Sequence, residues 1–354
     1  MQVNVKFSSK RFLLTLMLCA CSVILLQNYN VASSNSFIVN ILCMAAGLGV
    51  CFLMFIPAII IKKRTDSDFL TIARDRTPRL VLPLAIIYSF YFVYVADYYL
   101  LQYTDLFQKK YYSEVSPCII AFLLLAACVY AAFKGVNVIT RFGIFLFLFA
   151  VVTNVLMDLG CLSSLDLSYN SFALKGSTED IFGVFMYFIT QSFIAVIFAC
   201  LSGYIKNFKV RQTVFSIIFT GFKYAFVMFF VAFALGSYAD RQEYQSFILS
   251  RVAHFGTFAG IESFFVALTT MSVFMIISLF LCCVNKSVGQ GGSLLNIIIF
   301  SVIILAVVVM ANYNNSIKEI LLNEYLFNIY TFIAAVIIPA VYLFIGRKSV
   351  VQKN

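Results

Sequence analysis

The sequence predicts an all-α polytopic membrane protein, because the chain is very apolar and its apolar residues form ten long runs. Of its 354 residues, 62% are hydrophobic and 11% are charged, a balance that a soluble domain of this size does not have. Most runs approach the ~20 residues that an α-helix needs to cross ~30 Å of hydrocarbon. The predicted spans are residues 12–31, 37–61, 80–103, 117–133, 142–157, 181–204, 214–235, 263–284, 294–310 and 325–345.

The charged residues divide unequally between the two sides of this bundle. The side with both termini and every second connection carries 18 Lys/Arg and 3 Asp, whereas the other side carries 6 Lys/Arg and 12 Asp/Glu. Positive charge concentrates on the cytoplasmic side of such proteins, so we expect an N-in, C-in topology. Lys6, Lys10 and Arg11 before an apolar run also resemble a secretory signal, but nine further runs favour a retained first span.

Two of the connections carry a short amphipathic pattern. Phe69, Ile72 and Ala73 predict a surface helix within residues 62–79. A second apolar stripe predicts a short helix on the opposite side within residues 243–254. That helix is expected to act either as a lid or as a plain cap over the bundle.

Ten spans divide into two sets of five. Because five is an odd number, a second set that repeats the first must enter the membrane from the opposite side. This arithmetic predicts one membrane domain, residues 1–354, built from inverted repeats at about 12–159 and 174–347. In such folds the first helix of each repeat is discontinuous near the midplane, where its backbone meets a ligand or ion. Both of these spans contain polar clusters, namely Gln27, Asn28, Tyr29 and Asn30 in span 1 and Thr190, Gln191 and Ser192 in span 6. Alternatively, these residues form interhelical hydrogen bonds.

Tyrosines of the third span are further candidates for a ligand pocket. Tyr91, Tyr94 and Tyr98 are spaced i, i+3 and i+7 and share one helical face. A tyrosine ring packs against an apolar ligand while its hydroxyl orients it, although plain packing is the alternative. The predicted ligand-binding set is Gln27, Asn28, Tyr29, Tyr91, Tyr94, Tyr187, Thr190, Gln191, Ser192 and Thr269.

Three ionisable residues are candidates for charge or ion coupling. Lys223 falls mid-span, where a charge costs at least ~2.5–3 kcal/mol unless it faces the bundle interior or water. It is predicted either to replace a coupling cation or to be a structural lysine bonded to carbonyls or tyrosine hydroxyls. Asp97, in the outer part of span 3, and Glu262, at the start of span 8, are candidates for binding an amine or cation, with interfacial solvation as the alternative.

Several other functions lack the residues they need. The sole histidine, His254, lies in a connection, and the chain has no GxSxG, HxxxD, HExxH or nucleotide-binding loop, so we expect no enzymatic activity. The ten cysteines contain no CxxC motif, so we expect no metal and no cofactor. The basic excess is expected to reflect topology and anionic lipid, and no nucleic-acid partner is predicted.

Several stretches between about residues 65 and 348 form a pattern when they are taken together. The most extensive are residues 129–141 (VYAAFKGVNVITR) at the join between spans 4 and 5, and residues 202–207 (SGYIKN) at the exit from span 6. The others are Asp68-Phe69-Leu70, Ala234-Leu235-Gly236, residues 261–278 with Phe274 four before Ser278, and Pro339 followed by Arg347-Lys348. In order and spacing these stretches resemble the B subunits of GerA-type spore germinant receptors.

This resemblance implies membership of the amino acid–polyamine–organocation transporter superfamily, with a LeuT-like five-plus-five fold. It also implies a nutrient sensor in the inner membrane of bacterial spores, working with a larger A subunit and a C-subunit lipoprotein. The chain departs from the family pattern at five places: Gly203 replaces a proline, Thr269 and Ile276 replace a tryptophan and a lysine, a first-span proline is missing, and so is an Asp-Ala-Trp before span 2. Because of the departures other than Gly203, the resemblance does not specify the ligand.

Two functions follow from these expectations. The first is a receptor subunit that binds a small, amino acid-like nutrient and couples its occupancy to ion release through partner subunits. The alternative is a stand-alone secondary transporter of amino acids or amines that uses the same pocket.

Overall fold

The structure is a computed structural model that describes residues 6–26, 36–111, 113–169, 176–255, 258–289 and 294–347. Within these ranges ten helices are long and apolar enough to span a membrane, which confirms the predicted number. In chain order, spans 1 to 10 are Ser9–Leu26, Phe37–Thr65, Pro78–Lys110, Pro117–Lys134, Val136–Ser164, Thr178–Tyr204, Val210–Leu235, Glu262–Val288, Leu294–Tyr313 and Glu324–Leu343.

Five spans combine α-helix with tighter or wider turns. Their α-helical parts are Val81–Lys110 in span 3, Val136–Cys161 in span 5, Thr178–Ile189 and Phe193–Leu201 in span 6, Val210–Phe230 in span 7, and Glu324–Phe332 and Ile338–Arg347 in span 10. The turns are 3₁₀-helical at Pro78–Leu80, Leu162–Ser164, Thr190–Ser192 and Ser202–Tyr204, and π-helical at Val231–Leu235 and Ile333–Ile337.

The connections contain short elements of their own. The helices Phe69–Arg76 and Gln245–Val252 confirm the two predicted amphipathic segments, and a third helix covers Asn315–Leu321. Single 3₁₀ turns occur at Leu167–Tyr169 and Gly236–Arg241. Strand Phe7–Ser8 pairs in parallel with Ile205–Lys206, and His254–Phe255 pairs antiparallel with Phe258–Ala259.

Contacts between connections separate the bundle into two faces. Lys6, before span 1, lies 2.9 Å from Asp66, after span 2, on the face that we call the terminal face. Lys109, after span 3, lies 2.8 Å from Glu243, after span 7, on the opposite or far face. The connections that follow even-numbered spans therefore lie on the terminal face, and those that follow odd-numbered spans lie on the far face, as expected for helices that cross the membrane in alternating directions.

A buried ion pair joins three segments at the terminal face. The ammonium of Lys286 in span 8 lies 2.5 Å from the Asp68 carboxylate, and both side chains are nearly inaccessible to water. Lys286 also donates to the carbonyl of Cys200 in span 6 at 2.8 Å and lies 4.1 Å from the centre of the Tyr204 ring. Asp68 in turn caps the helix Phe69–Arg76 by accepting from the Thr71 amide at 2.9 Å. One carboxylate thus links span 8, span 6 and the connection between spans 2 and 3.

Gly203 occupies the place where the resembled family has a proline. A Cβ atom at this position would collide with the Asp68 carboxylate. The departure therefore has a steric reason, because the exit of span 6 runs directly against the buried ion pair.

The helix Gln245–Val252 closes the far face over several spans. Its Ser246 hydroxyl donates to the carbonyl of Ile24 at 2.9 Å, near the end of span 1 where helical carbonyls lack partners of their own. Its Phe247 packs edge-on against Tyr111, with ring centres 5.2 Å apart. A hydroxyl and an aromatic ring therefore hold this helix across the ends of spans 1 and 3.

Gly47 allows span 2 to pack closely against span 6, and its replacement is a sharp test of that contact. A Cβ atom at Gly47 would lie 2.6 Å from the Cβ atom of Phe188 and 3.3 Å from a backbone oxygen of span 6. We expect Gly47→Ala to lower the free energy of unfolding by about 1–3 kcal/mol. Gly49→Ala is the matched control, because nothing lies within 4 Å of its added Cβ. Equal melting temperatures for the two purified variants would contradict the prediction.

Candidate functional site

Span 6 is interrupted at its centre, where the sequence predicts a discontinuity. The 3₁₀ turn Thr190–Ser192 separates two α-helices, and all three of its side chains are buried. The Thr190 hydroxyl donates to the carbonyl of Tyr187 at 2.6 Å. A 3₁₀ turn inside a longer helix often marks a hinge or a functional site. Span 1 is α-helical over Ser9–Leu26, and the predicted cluster of Gln27, Asn28, Tyr29 and Asn30 lies outside the described residues.

Three buried polar groups around this turn have no hydrogen-bond partner among the described residues. They are the amide nitrogen Nε2 of Gln191, the Oγ of Ser192 and the hydroxyl of Tyr99 in span 3. Leaving such a group unsatisfied costs about 1–3 kcal/mol. Clusters of this kind are explained by a ligand, an ion or water that completes the hydrogen bonds.

Aromatic side chains connect the turn to three other spans. The ring of Phe193, directly after the turn, lies 5.1 Å from Tyr99 of span 3 and 5.8 Å from Phe280 of span 8. Tyr98 lies 4.5 Å from Phe327 of span 10. Spans 3, 6, 8 and 10 therefore meet in one aromatic cluster beside the interrupted helix.

Span 1 forms a further wall of this region. The Tyr99 hydroxyl lies within electrostatic range of Tyr187 in span 6 and of Cys19 in span 1. Tyr224 of span 7 donates to the carbonyl of Ala20 at 2.6 Å, and its ring packs edge-on against Phe188 at 5.7 Å. Spans 1, 3, 6 and 7 thus contact one another around the hydroxyl of Tyr99, which has no hydrogen-bond partner in the described ranges.

A small cavity of about 20 Å³, lined mostly by apolar side chains, extends from the turn toward the terminal face. Gln191 lines it together with Thr213, Ser216 and Thr220, three hydroxyl side chains that share one face of span 7. The Thr220 hydroxyl donates to the carbonyl of Ser216 at 2.9 Å, whereas the Thr213 hydroxyl has no hydrogen-bond partner within the described part of the chain. The volume suits a single water molecule.

Three of the predicted ligand residues are engaged away from the turn. The hydroxyl of Tyr91 lies 3.2 Å from that of Thr331 in span 10, and Tyr94 donates to the carbonyl of Asn323 at 3.5 Å. The hydroxyl of Thr269 donates to a carbonyl of its own helix at 2.8 Å. The structure therefore brings together Tyr187, Thr190, Gln191 and Ser192, and it adds Tyr99, which follows Tyr98 in span 3 and contacts its ring.

The two predicted carboxylates have different surroundings. Glu262 lies at the start of span 8 and forms an ion pair with Arg251 at 3.0 Å, on the far face. Asp97 is 1% exposed within span 3, and its Oδ1 has no hydrogen-bond partner among the described residues. Asp97 is therefore buried inside the bundle, whereas Glu262 is held at the surface.

Lys223 has a nearby opposite charge that sequence reasoning missed. Its Nζ is buried without a hydrogen-bond partner in the described part of the chain. Asp158 of span 5 lies within electrostatic range of Lys223, and its Oδ1 is also buried and unpartnered there. The predicted span 5 ends at residue 157, which places Asp158 in the following connection, whereas the helix continues to Cys161. The apolar residues that follow Asp158 are the signal that could have placed it inside the span.

Comparisons with known proteins agree with this architecture. A family described as "Spore germination protein" matches residues 4–319. Among solved structures, the crystal structure of MhsT in complex with L-phenylalanine is similar with a TM-score of 0.57 and 14% sequence identity. That similarity covers 97% of this chain and 99% of the other, and it shows a LeuT-like fold. A comparison with curated protein sequences finds no match.

Proposed function

Because the chain belongs to the spore germination protein family, we propose that it is the nutrient-sensing membrane subunit of a spore germination receptor. Its ligand is a small, amino acid-like molecule bound beside the interrupted centre of span 6. In this proposal the protein works with a receptor A subunit and a C-subunit lipoprotein in the spore inner membrane, with both termini in the cytoplasm. The predicted repeats, about residues 12–159 and 174–347, supply the two sets of five spans.

One observation carries this proposal: buried polar groups without a partner among the described residues are concentrated at the break in span 6. The amide nitrogen of Gln191, the hydroxyl of Ser192 and the hydroxyl of Tyr99 are the groups that would bind a polar ligand. The rings of Phe193 and Phe280 offer an apolar surface next to them. A small molecule with polar and apolar parts fits this combination. The bound molecule in MhsT, L-phenylalanine, is of that chemical class.

The closed ends of the bundle suggest how occupancy is transmitted. The terminal face is held by the pair of Asp68 and Lys286, which contacts the exit of the same span 6 that carries the turn. A ligand that binds one arrangement of the turn more tightly shifts the equilibrium toward it. Span 6 then changes its contacts at the terminal face, where partner subunits can respond.

Ligand-dependent thermal stabilisation of the purified full chain tests this function. A panel of amino acids, bile salts and sugars is screened, and one class is expected to raise the melting temperature. At a concentration of about 100 times Kd, a ligand stabilises the folded state by about 2.7 kcal/mol. Stabilisation that persists unchanged in a Gln191→Met and Ser192→Ala double variant would place binding elsewhere and contradict the proposal.

Reconstitution separates the receptor from the stand-alone transporter of amino acids or amines. The receptor proposal expects no uptake when this chain alone is placed in proteoliposomes, and no germination response without the A and C subunits. Uptake of the stabilising ligand by the chain alone would establish the transporter instead.

Lys223 is proposed to couple charge to the response, with Asp97 and Glu262 as further candidates. Lys223→Met removes the buried ammonium while keeping a side chain of similar length. We expect the variant to fold and to bind the ligand, but to give weaker ion release at the same ligand concentration, because the buried positive charge is gone. The measurement is ion release from spores, compared with ligand-dependent stabilisation of the purified variant. Unchanged ion release would remove Lys223 from the mechanism.

A further inference from the structure

A basic cavity of about 680 Å³ opens at the terminal face, between the start of span 1, the end of span 6 and the start of span 7. Among the described residues, its lining contains three lysines, Lys10, Lys206 and Lys209, and no carboxylate. All three are exposed, and none forms an ion pair or hydrogen bond with a carboxylate of the described residues. The cavity therefore has uncompensated positive charge.

Two long helices begin at this cavity. Span 1 starts at Ser9, and span 7 starts at Val210 directly after Lys209, whose side chain makes no capping bond. The first amide groups of a helix lack partners inside the helix and carry the positive end of its dipole. The parallel strand pair of Phe7–Ser8 with Ile205–Lys206 holds these helix starts at one place.

A buried hydroxyl gives a second and independent sign of a ligand. Ser9 lines the cavity and is only 3% exposed, yet its Oγ has no hydrogen-bond partner in the described part of the chain. The Oε1 of Gln212, another lining residue, is also buried and unpartnered there. A ligand with both acceptor oxygens and a hydroxyl donor would satisfy these two groups.

We propose that this cavity, formed by Ser9, Lys10, Lys206, Lys209 and Gln212, binds a phosphate group, most favourably the headgroup of an anionic phospholipid. Phosphate oxygens accept from lysine, from helix-start amides and from a serine hydroxyl. The glycerol hydroxyls of a headgroup such as phosphatidylglycerol can donate to Gln212. The lipid source is favoured by position, because Phe208 lines the cavity and the exposed Phe215 follows on span 7. A bound headgroup would tie the exit of span 6 to the starts of spans 1 and 7.

The test is thermal stabilisation of the purified full chain in a neutral detergent by short-chain phosphatidylglycerol, without nutrient. We expect saturable stabilisation by phosphatidylglycerol and little by phosphatidylcholine. The Lys206→Gln and Lys209→Gln double variant should raise the phosphatidylglycerol concentration at half-saturation by about 100-fold, since each substitution removes a charge-assisted hydrogen bond worth about tenfold in affinity. Ser9→Ala should raise this concentration by about tenfold. The matched control is Lys63→Gln with Arg64→Gln, which removes two exposed positive charges from the same face outside the cavity.

Inorganic phosphate as a competitor identifies the source of the ligand. If phosphate displaces phosphatidylglycerol, or stabilises the protein alone, the cavity is a site for free phosphate. If phosphate does neither, the cavity is a site for a lipid headgroup. Both outcomes support binding of a phosphate group in the cavity. Equal weakening in the two double variants, or equal stabilisation by phosphatidylcholine, would overturn the proposal in favour of general surface attraction. If the double variant does not fold, two single variants test the proposal instead. Ser9→Ala should bind phosphatidylglycerol about tenfold more weakly, whereas Lys206→Arg keeps the positive charge and should bind within about threefold of wild type.

Discussion

Replacing Lys286 with methionine is expected to lower the free energy of unfolding by about 3–5 kcal/mol, because it leaves the buried Asp68 carboxylate without its cation. The Asp68 side chain is 2% exposed, so water cannot replace the lost partner. The substitution also removes the hydrogen bond to the carbonyl of Cys200 and the cation over the Tyr204 ring. The apparent melting temperature of the purified protein should fall by about 5–10 °C.

A double variant separates the orphaned charge from the lost packing. Asp68→Asn with Lys286→Met removes both charges, and asparagine is as good a helix cap as aspartate for the Thr71 amide. We expect it to recover a substantial part of the loss. The control is Lys109→Met, which breaks the half-exposed pair with Glu243 and should cost at most about 1 kcal/mol. Equal losses for Lys286→Met and Lys109→Met would show that the buried pair does not hold the terminal face together.

The second large effect is expected at the break in span 6. A variant with Gln191→Met and Ser192→Ala removes two buried polar groups that have no partner among the described residues. We expect the protein without ligand to become more stable by about 1–3 kcal/mol, because the cost of those unsatisfied groups disappears. Ligand-dependent stabilisation should weaken by at least about tenfold, since the same groups would bind the nutrient. Stability and response are thus predicted to move in opposite directions.

Ser301→Ala is the matched control for the serine. Ser301 is also buried, but its hydroxyl already donates to a carbonyl of its own helix at 2.8 Å, in span 9 away from the turn. This variant should leave ligand-dependent stabilisation unchanged. A loss of stability in the double variant, with normal ligand response, would show that Gln191 and Ser192 are structural residues only.

The number and order of the spans could be predicted from sequence because lipid imposes a simple requirement. Every polar backbone group must be satisfied within the helix, so apolar length marks each crossing. The ends of the helices could not be predicted in the same way. Span 2 continues past residue 61 to Thr65, and span 8 past residue 284 to Val288. Lys62 and Lys286 lie in these extensions and are paired with Asp66 and Asp68, which makes charged residues compatible with a helix end.

The candidate site was predictable along span 6 but not along span 3. A polar triplet in an apolar run indicated the break at Thr190–Ser192 directly. In span 3 the periodicity selected the face of Tyr91, Tyr94 and Tyr98, whereas Tyr99 is the residue that faces the turn. Tyr98 and Tyr99 are both fully buried, because other spans surround this helix. Periodicity identifies the solvent or lipid side of a helix, and it cannot choose between two buried sides.

The helix Gln245–Val252 has a kinetic consequence for a nutrient that arrives at the far face. Ser246 bonds it to the end of span 1, and Phe247 is fully buried beneath it. In the proposed receptor, a nutrient molecule that comes from the far face has to wait until this segment lifts. We expect the observed association rate to level off as nutrient concentration rises, at a plateau set by the frequency of that opening and not by diffusion.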